Sequence, residues 1–153
     1  MKKLTQIQKV FLLTLSVIVI FGYLDAQQIL AVYSTQAWDV YNQYVAPAFN
    51  SLLYIGLAAV AIVYYLIKKD KSESIGIFLS GLLMGKMGVG DVAFFIFGKE
   101  PMTACMDWFG PLQNTVSKYI LQESCVSPLG LWLNALLGIV VAYLLLKYLK
   151  EKL

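Results

Sequence analysis

The sequence predicts an all-α integral membrane protein, a bundle of four transmembrane helices with a disulfide-stapled, partly helical loop outside the membrane. Three observations carry that expectation. Four apolar runs reach the roughly 20 residues that a helix needs to cross a hydrocarbon core about 30 Å thick. Lysines cluster at alternate connections between those runs, and the only two cysteines fall within a single connection. Of 153 residues, 59% are apolar and 14% charged, with a mean hydropathy of +0.71, a balance foreign to an ordinary soluble domain.

The same composition excludes several function classes. All 12 basic residues are lysines, set against 9 acids, so the net charge of +3 is too small and dispersed for a nucleic-acid surface. No nucleic-acid partner is expected. Without histidine the chain lacks the usual proton shuttle and the commonest metal ligand, and without arginine it lacks the bidentate clamp for phosphate. No cofactor, metal or catalytic residue is expected.

The first span runs from Ile7 to Leu24, with Lys2, Lys3 and Lys9 at its inner end. Its basic start, its apolar core from Val10 to Gly22 and the small residue Ala26 imitate a secretory signal with a cleavage site. Retention of the span is the expectation. Residues 25–48 then form the first outside segment, where Tyr33, Trp38, Tyr41 and Tyr44 suit the headgroup zone because each joins an apolar ring to a polar tip. Asp25 and Asp39 read there as surface charges.

The second span runs from Phe49 to Ile67, and Lys68, Lys69, Asp70 and Lys71 separate it from the third, Ile75 to Phe97. Gly81, Gly85 and Gly88 fall on one stripe of that third helix, and Asn134, Gly138 and Ala142 form a comparable stripe on the fourth. Small residues so spaced let transmembrane backbones approach, so these two helices are expected to meet.

The third span also carries Ser80, Lys86 and Asp91, and a charge at the membrane centre costs roughly 2.5 to 3.5 kcal/mol even on the most lenient scale. Lys86 lies about 16 Å from either end of the span, beyond the roughly 6 Å that a lysine side chain can snorkel. On a regular helix Asp91 points about 140° away from it, too far for a pair three or four residues apart. Either Gly88 and Gly90 let the helix unwind so that the two meet, or each finds a partner on another helix or subunit.

The second outside segment, residues 98–127, holds Cys105 and Cys125 in the more oxidising compartment, which predicts a disulfide acting as a structural staple. Within it, Pro101 to Phe109 can form a short helix. After Gly110 and Pro111, residues Leu112, Val116, Tyr119 and Ile120 recur at helical spacing, opposite the more polar Asp107, Asn114, Lys118 and Glu123. Ser127 and Pro128 then give the fourth span, Pro128 to Leu146, an N-cap and a first-turn proline. Lys147, Lys150 and Lys152 follow. The lysine groups set both termini and the second connection on the cytoplasmic side of the cell membrane, around a single membrane domain covering residues 1–153.

Three functional expectations follow. The preferred one is a non-catalytic, structural or accessory subunit of a membrane assembly, a homo- or hetero-oligomer in the lipid bilayer, with Lys86 and Asp91 fixing register and no enzyme activity. It rests on polar and glycine-rich surfaces suited to helix association, and on the lack of phosphate-loop and metal-ligand motifs. The alternative is a small oligomeric channel or transporter, with Lys86, Asp91, Asn134 and Ser80 lining a polar passage. Size and span count resemble those of small four-helix transporters and fluoride channels, without the membrane-embedded glutamate that multidrug exporters carry in their first span. The weakest is a membrane thiol oxidoreductase, for which the chain offers two outside cysteines but no Cys-x-x-Cys.

Overall fold

The computed structural model describes residues 4–35, 38–40, 43–44, 46–98, 102, 104–106 and 111–153, and among these the chain is helical with no strand. The helices are α1 (Gln6–Thr35), α2 (Trp38–Val40), α3 (Ala46–Lys68), α4 (Lys71–Lys86), α5 (Val89–Gly98), α6 (Thr115–Tyr119) and α7 (Pro128–Lys152). Among the described residues, three stretches are long and apolar enough to cross a membrane: Gln6–Val32, Ser51–Lys68 and Pro128–Lys152. Helices α4 and α5 meet the same test as a pair, but they are bent by 61° at the break between them. The expected third span is therefore two helices.

Local chemistry explains where the helices begin and end. Thr5 and Gln8 form a reciprocal box at the start of α1: the Thr5 N–H donates to Gln8 Oε1 at 2.9 Å and the Gln8 N–H to Thr5 Oγ1 at 3.3 Å. Helix α1 then runs 30 residues, about 45 Å, well past Leu24 where the apolar run was expected to stop. Between α3 and α4 the turn is only Lys69 and Asp70. Lys69 takes a left-handed conformation with φ 56°, and Asp70 caps α4 by accepting from the Glu73 N–H at 3.0 Å. Ser127 caps α7 through the Gly130 N–H at 3.0 Å, with Pro128 at the first position.

The bundle packs through small residues. On α1 the buried positions Val10, Thr14, Ile18, Gly22 and Ala26 recur every four residues, which makes one continuous ridge. Gly22 lies against the backbone of Gly90 and the side chain of Ala93, where an added Cβ would come within 2.8 Å of the Ala93 Cβ. This crossing joins α1 to α5 with almost no side chain between them. Helix α4 occupies the middle, in contact with α1, α3 and α7, and its buried face is mostly serine and glycine. Gly76 receives Leu146 of α7, and Gly81 receives Leu57 of α3. Ile18, Leu57, Met84 and Leu131 fill the core between these approaches.

At the lysine-rich end, one polar cluster ties the four long helices. Lys150 of α7 pairs with Asp70 and, at 3.1 Å, with Glu73 Oε1. Tyr64 of α3 donates to Glu73 Oε2 at 2.5 Å, and the Gln6 amide of α1 donates to the Tyr64 hydroxyl at 2.8 Å. Glu73 is buried, so these partners offset the desolvation of its carboxylate. At the opposite end, the Cys105–Cys125 disulfide and paired backbone bonds between Met106 and Val126 close the loop, with Met106 and Val126 fully buried beneath it. The expected helix from Pro101 to Phe109, together with Asp107, lies largely outside the described residues.

A candidate polar site at the helix break

The break begins at Gly88, whose φ of +86° belongs to the left-handed region that glycine enters without penalty. Helix α4 closes with Met87 donating to the Leu83 carbonyl and Gly88 to the Gly85 carbonyl at 3.3 Å, and α5 starts one residue later. Helix ends leave backbone groups in need of partners, and here α7 supplies one. Asn134, fully buried, donates from Nδ2 to the Met87 carbonyl at 3.0 Å and to the Leu112 carbonyl at 2.8 Å. Its Oδ1 accepts from the Val116 N–H at 3.4 Å. A single amide thus holds the break and the disulfide-closed loop together.

The two charges of the broken segment now have a physical setting. Lys86 is in the last turn of α4 and Asp91 in the first turn of α5, the ends at which a helix dipole favours a cation and an anion respectively. Among the described residues no ion pair joins them. The Lys86 ammonium stands 5.3 Å from the centre of the Tyr54 ring on α3, within cation–π range. Asp91 accepts from the Gln113 amide of the disulfide-closed loop at 3.3 Å.

These groups share one cavity of about 100 Å³, lined by Asp25, Tyr54, Lys86, Asp91 and Gln113 between apolar walls that include Ile18, Phe21 and Leu53. The volume suffices for several waters or one small ion. Its floor is partly backbone, because Gly22, Gly85 and Gly90 bring main chain to the surface where side chains would otherwise fill the space. With two carboxylates against one ammonium, the lining is acidic by one charge when all are ionised. Four separate segments, α1, α3, the broken α4–α5 pair and the disulfide-closed loop, contribute to it.

The other expected site residues go elsewhere. Ser80 is buried on α4 with its hydroxyl bonded to the Gly76 carbonyl of its own helix, and it does not line the cavity. Asn134 serves the break from behind. The glycine stripe is divided: Gly81 faces Leu57 of α3, Gly85 faces Leu53 of α3 and Ile18 of α1, and only Gly88 faces α7, through Leu131. Gly138 packs on Met87. Helices α4 and α7 do meet, but they do so through Gly76–Leu146 and Met87–Gly138, because the backbone turns at Met87 and ends the stripe there. Cys105 and Cys125 are joined to each other. Tyr44 is exposed, whereas Tyr41 and the side chains of Tyr33 and Trp38 lie outside the described residues.

Asp25, Tyr54 and Gln113 were not among the expected site residues. Asp25 carried a signal: Gly22 three positions before it and Ala26 beside it continue the small-residue ridge of α1, so a helix extended past Leu24 turns Asp25 toward that packed side. Gln113 carried none, since its position depends on how the loop before α7 folds back. Comparison with known protein families, with curated proteins and with solved structures found no match for this chain.

Proposed function

We propose that this chain is a four-span membrane protein whose third span is broken to form a site for a small cation, and that it acts as a compact ion-handling unit of a channel or transporter. The convergence of Asp25, Lys86 and Asp91 on one cavity at the helix break carries the reading. Irregular backbone at membrane depth is tolerated where it lines a cavity, and transporters commonly use paired helix ends at such breaks to hold ions. Two carboxylates and one ammonium in the lining give it a net negative charge when all are ionised, which suits a cation. The lysine groups at Lys68–Lys71 and Lys147–Lys152 orient both termini toward the cytoplasm, and the exposed apolar side chains Ile20, Ile55, Ile62, Val140 and Leu144 suit a lipid surround.

Reconstituted liposomes loaded with a pH or potassium reporter provide the test. Wild-type protein should pass protons or a monovalent cation, and Asp25→Asn and Asp91→Asn should each reduce the flux at least about tenfold, the scale expected when a buried ion loses its counter-charge. Absence of flux for every small cation, or wild-type flux in both variants, would sink the proposal.

A second reading, the accessory subunit of a membrane assembly, is favoured by α3. Only 11% of its apolar window is buried within the chain, and Leu52, Ile55, Ile62 and Leu66 lie open along its length. Crosslinking and co-purification from native membranes address it, since a chain recovered only as a monomer has no such partner.

A further inference from the structure

An open groove of about 550 Å³ runs between α3 and α4, nearer the lysine-rich turn than the polar cavity and sharing no lining residue with it. Its walls are apolar, formed by Ala58, Ile62, Phe78 and Leu79, and one end is marked by Tyr65, Lys71 and Ser74. Along α3 the lining extends from Ala58 to Tyr65, about 10 Å and so most of one leaflet's half of a hydrocarbon core. The charge at that end is uneven. Lys69 stands over the Tyr65 ring at 5.8 Å, and Lys71 lines the groove itself. The acids of the same turn face the other way, since Asp70 and Glu73 are both engaged by Lys150 on α7. The groove therefore has an apolar floor and a basic mouth whose neighbouring carboxylates are committed elsewhere.

We propose that this groove holds one anionic phospholipid, with an acyl chain along Ile62, Phe78 and Leu79 and its phosphate head group at Lys69 and Lys71. The inference rests on the membrane reading above, which sets this end in the cytoplasmic leaflet. That leaflet is where anionic lipids accumulate, and basic pockets between helices bind their head groups there. Tyr65 suits the boundary, because its ring joins the apolar wall and its hydroxyl belongs with the head groups. The proposal concerns a surface separate from the cation cavity and does not require that cavity to transport anything.

Native mass spectrometry of the detergent-purified protein tests it with two lipids of identical chains, dioleoyl phosphatidylglycerol and dioleoyl phosphatidylcholine. Wild type should retain one phosphatidylglycerol about thirtyfold more strongly than phosphatidylcholine, in line with the attraction of two lysines near a membrane surface. Lys69→Gln combined with Lys71→Gln should abolish the preference, and Ala58→Phe, which fills the groove, should reduce retention of both lipids. Lys71→Gln alone, a change to one exposed side chain, should lower the preference about fivefold and gives a readout even if the double variant misfolds. Equal retention of the two lipids by wild type, or an unchanged preference after the lysine substitutions, overturns the proposal. A carbonate wash separates the two readings: release from the membrane overturns both, whereas a membrane-retained protein blind to head-group charge overturns only this one.

Discussion

Lys86 closes α4 and Asp91 opens α5, so two opposite charges five positions apart stand on opposed helix ends without pairing to each other. Each helix end returns at most about 2 kcal/mol, less than the roughly 2.5 to 3.5 kcal/mol that a charge costs at the centre of a membrane. Within a membrane the remainder would fall to Tyr54 and Gln113, the side chains that contact the two charges. The break is thus part of what makes these charges tolerable, and substitutions that straighten the chain should be felt there first.

Gly88→Ala should destabilise the protein by about 1 to 2 kcal/mol through its left-handed backbone alone. An added Cβ would also approach Leu131 to 2.7 Å. A thermal melt in detergent checks this, and an unshifted midpoint would mean that the turn at Gly88 is not held as described.

Two glycines at one helix crossing should behave differently. At Gly22 a Cβ would meet the Gly90 backbone and the Ala93 side chain, whereas at Gly90 the nearest neighbour is Ile18 Cγ2 at an ordinary 3.9 Å. Gly22→Ala should therefore lower the melting temperature clearly and Gly90→Ala should leave it nearly unchanged. Equal losses would contradict the close approach of α1 and α5.

Asn134→Leu removes the partner of two carbonyls and one N–H at once. Leaving buried backbone groups unsatisfied costs about 1 to 3 kcal/mol each, so a loss of several kcal/mol is expected even though the new side chain is apolar and of similar size. Hydrogen exchange should accelerate at Val116 and its neighbours, and protection equal to wild type would exclude the clasp.

Acid should weaken the lysine-rich end. Asp70 has its carboxyl held at about 2, below the usual 3.8, first by the Lys150 ammonium and then by the Glu73 backbone N–H. A group with a depressed folded pKa contributes fully above its unfolded value and loses that contribution as pH falls through the folded one. Stability should thus decline between about pH 4 and about pH 2, and Asp70→Asn, which retains a capping oxygen, should flatten that decline. An identical acid slope in the variant would assign the effect to other groups.

Much of the helical framework was legible because its signals are local. Ser127 followed by Pro128 marks the start of α7, and the single cysteine pair in one connection foretells the disulfide. Gly88 was legible as a place where a helix could yield. What the residues alone did not disclose depends on packing between distant segments. The side-chain partners of Lys86 and Asp91 come from Tyr54 and Gln113, 32 and 22 positions away, and no periodicity announces them. Gly81 and Gly85 were readable as packing residues, but choosing α3 over α7 requires knowing that α4 sits in the middle. Asp25 was misjudged for a simpler reason: an apolar run ended at Leu24 while the helix did not.

The amide of Asn134 touches both the Met87 carbonyl and the Leu112 carbonyl, so the loop segment before α7 and the turn at the helix break are coupled through one buried side chain. If the loop segment lifts away, one Asn134 N–H and its Oδ1 lose their partners, and if the turn rewinds the other N–H loses its own, so either movement leaves the same buried amide partly unsatisfied. Anything that grips the loop from outside, a toxin or an antibody fragment, would acquire leverage over the interior by the reciprocity that thermodynamic linkage imposes.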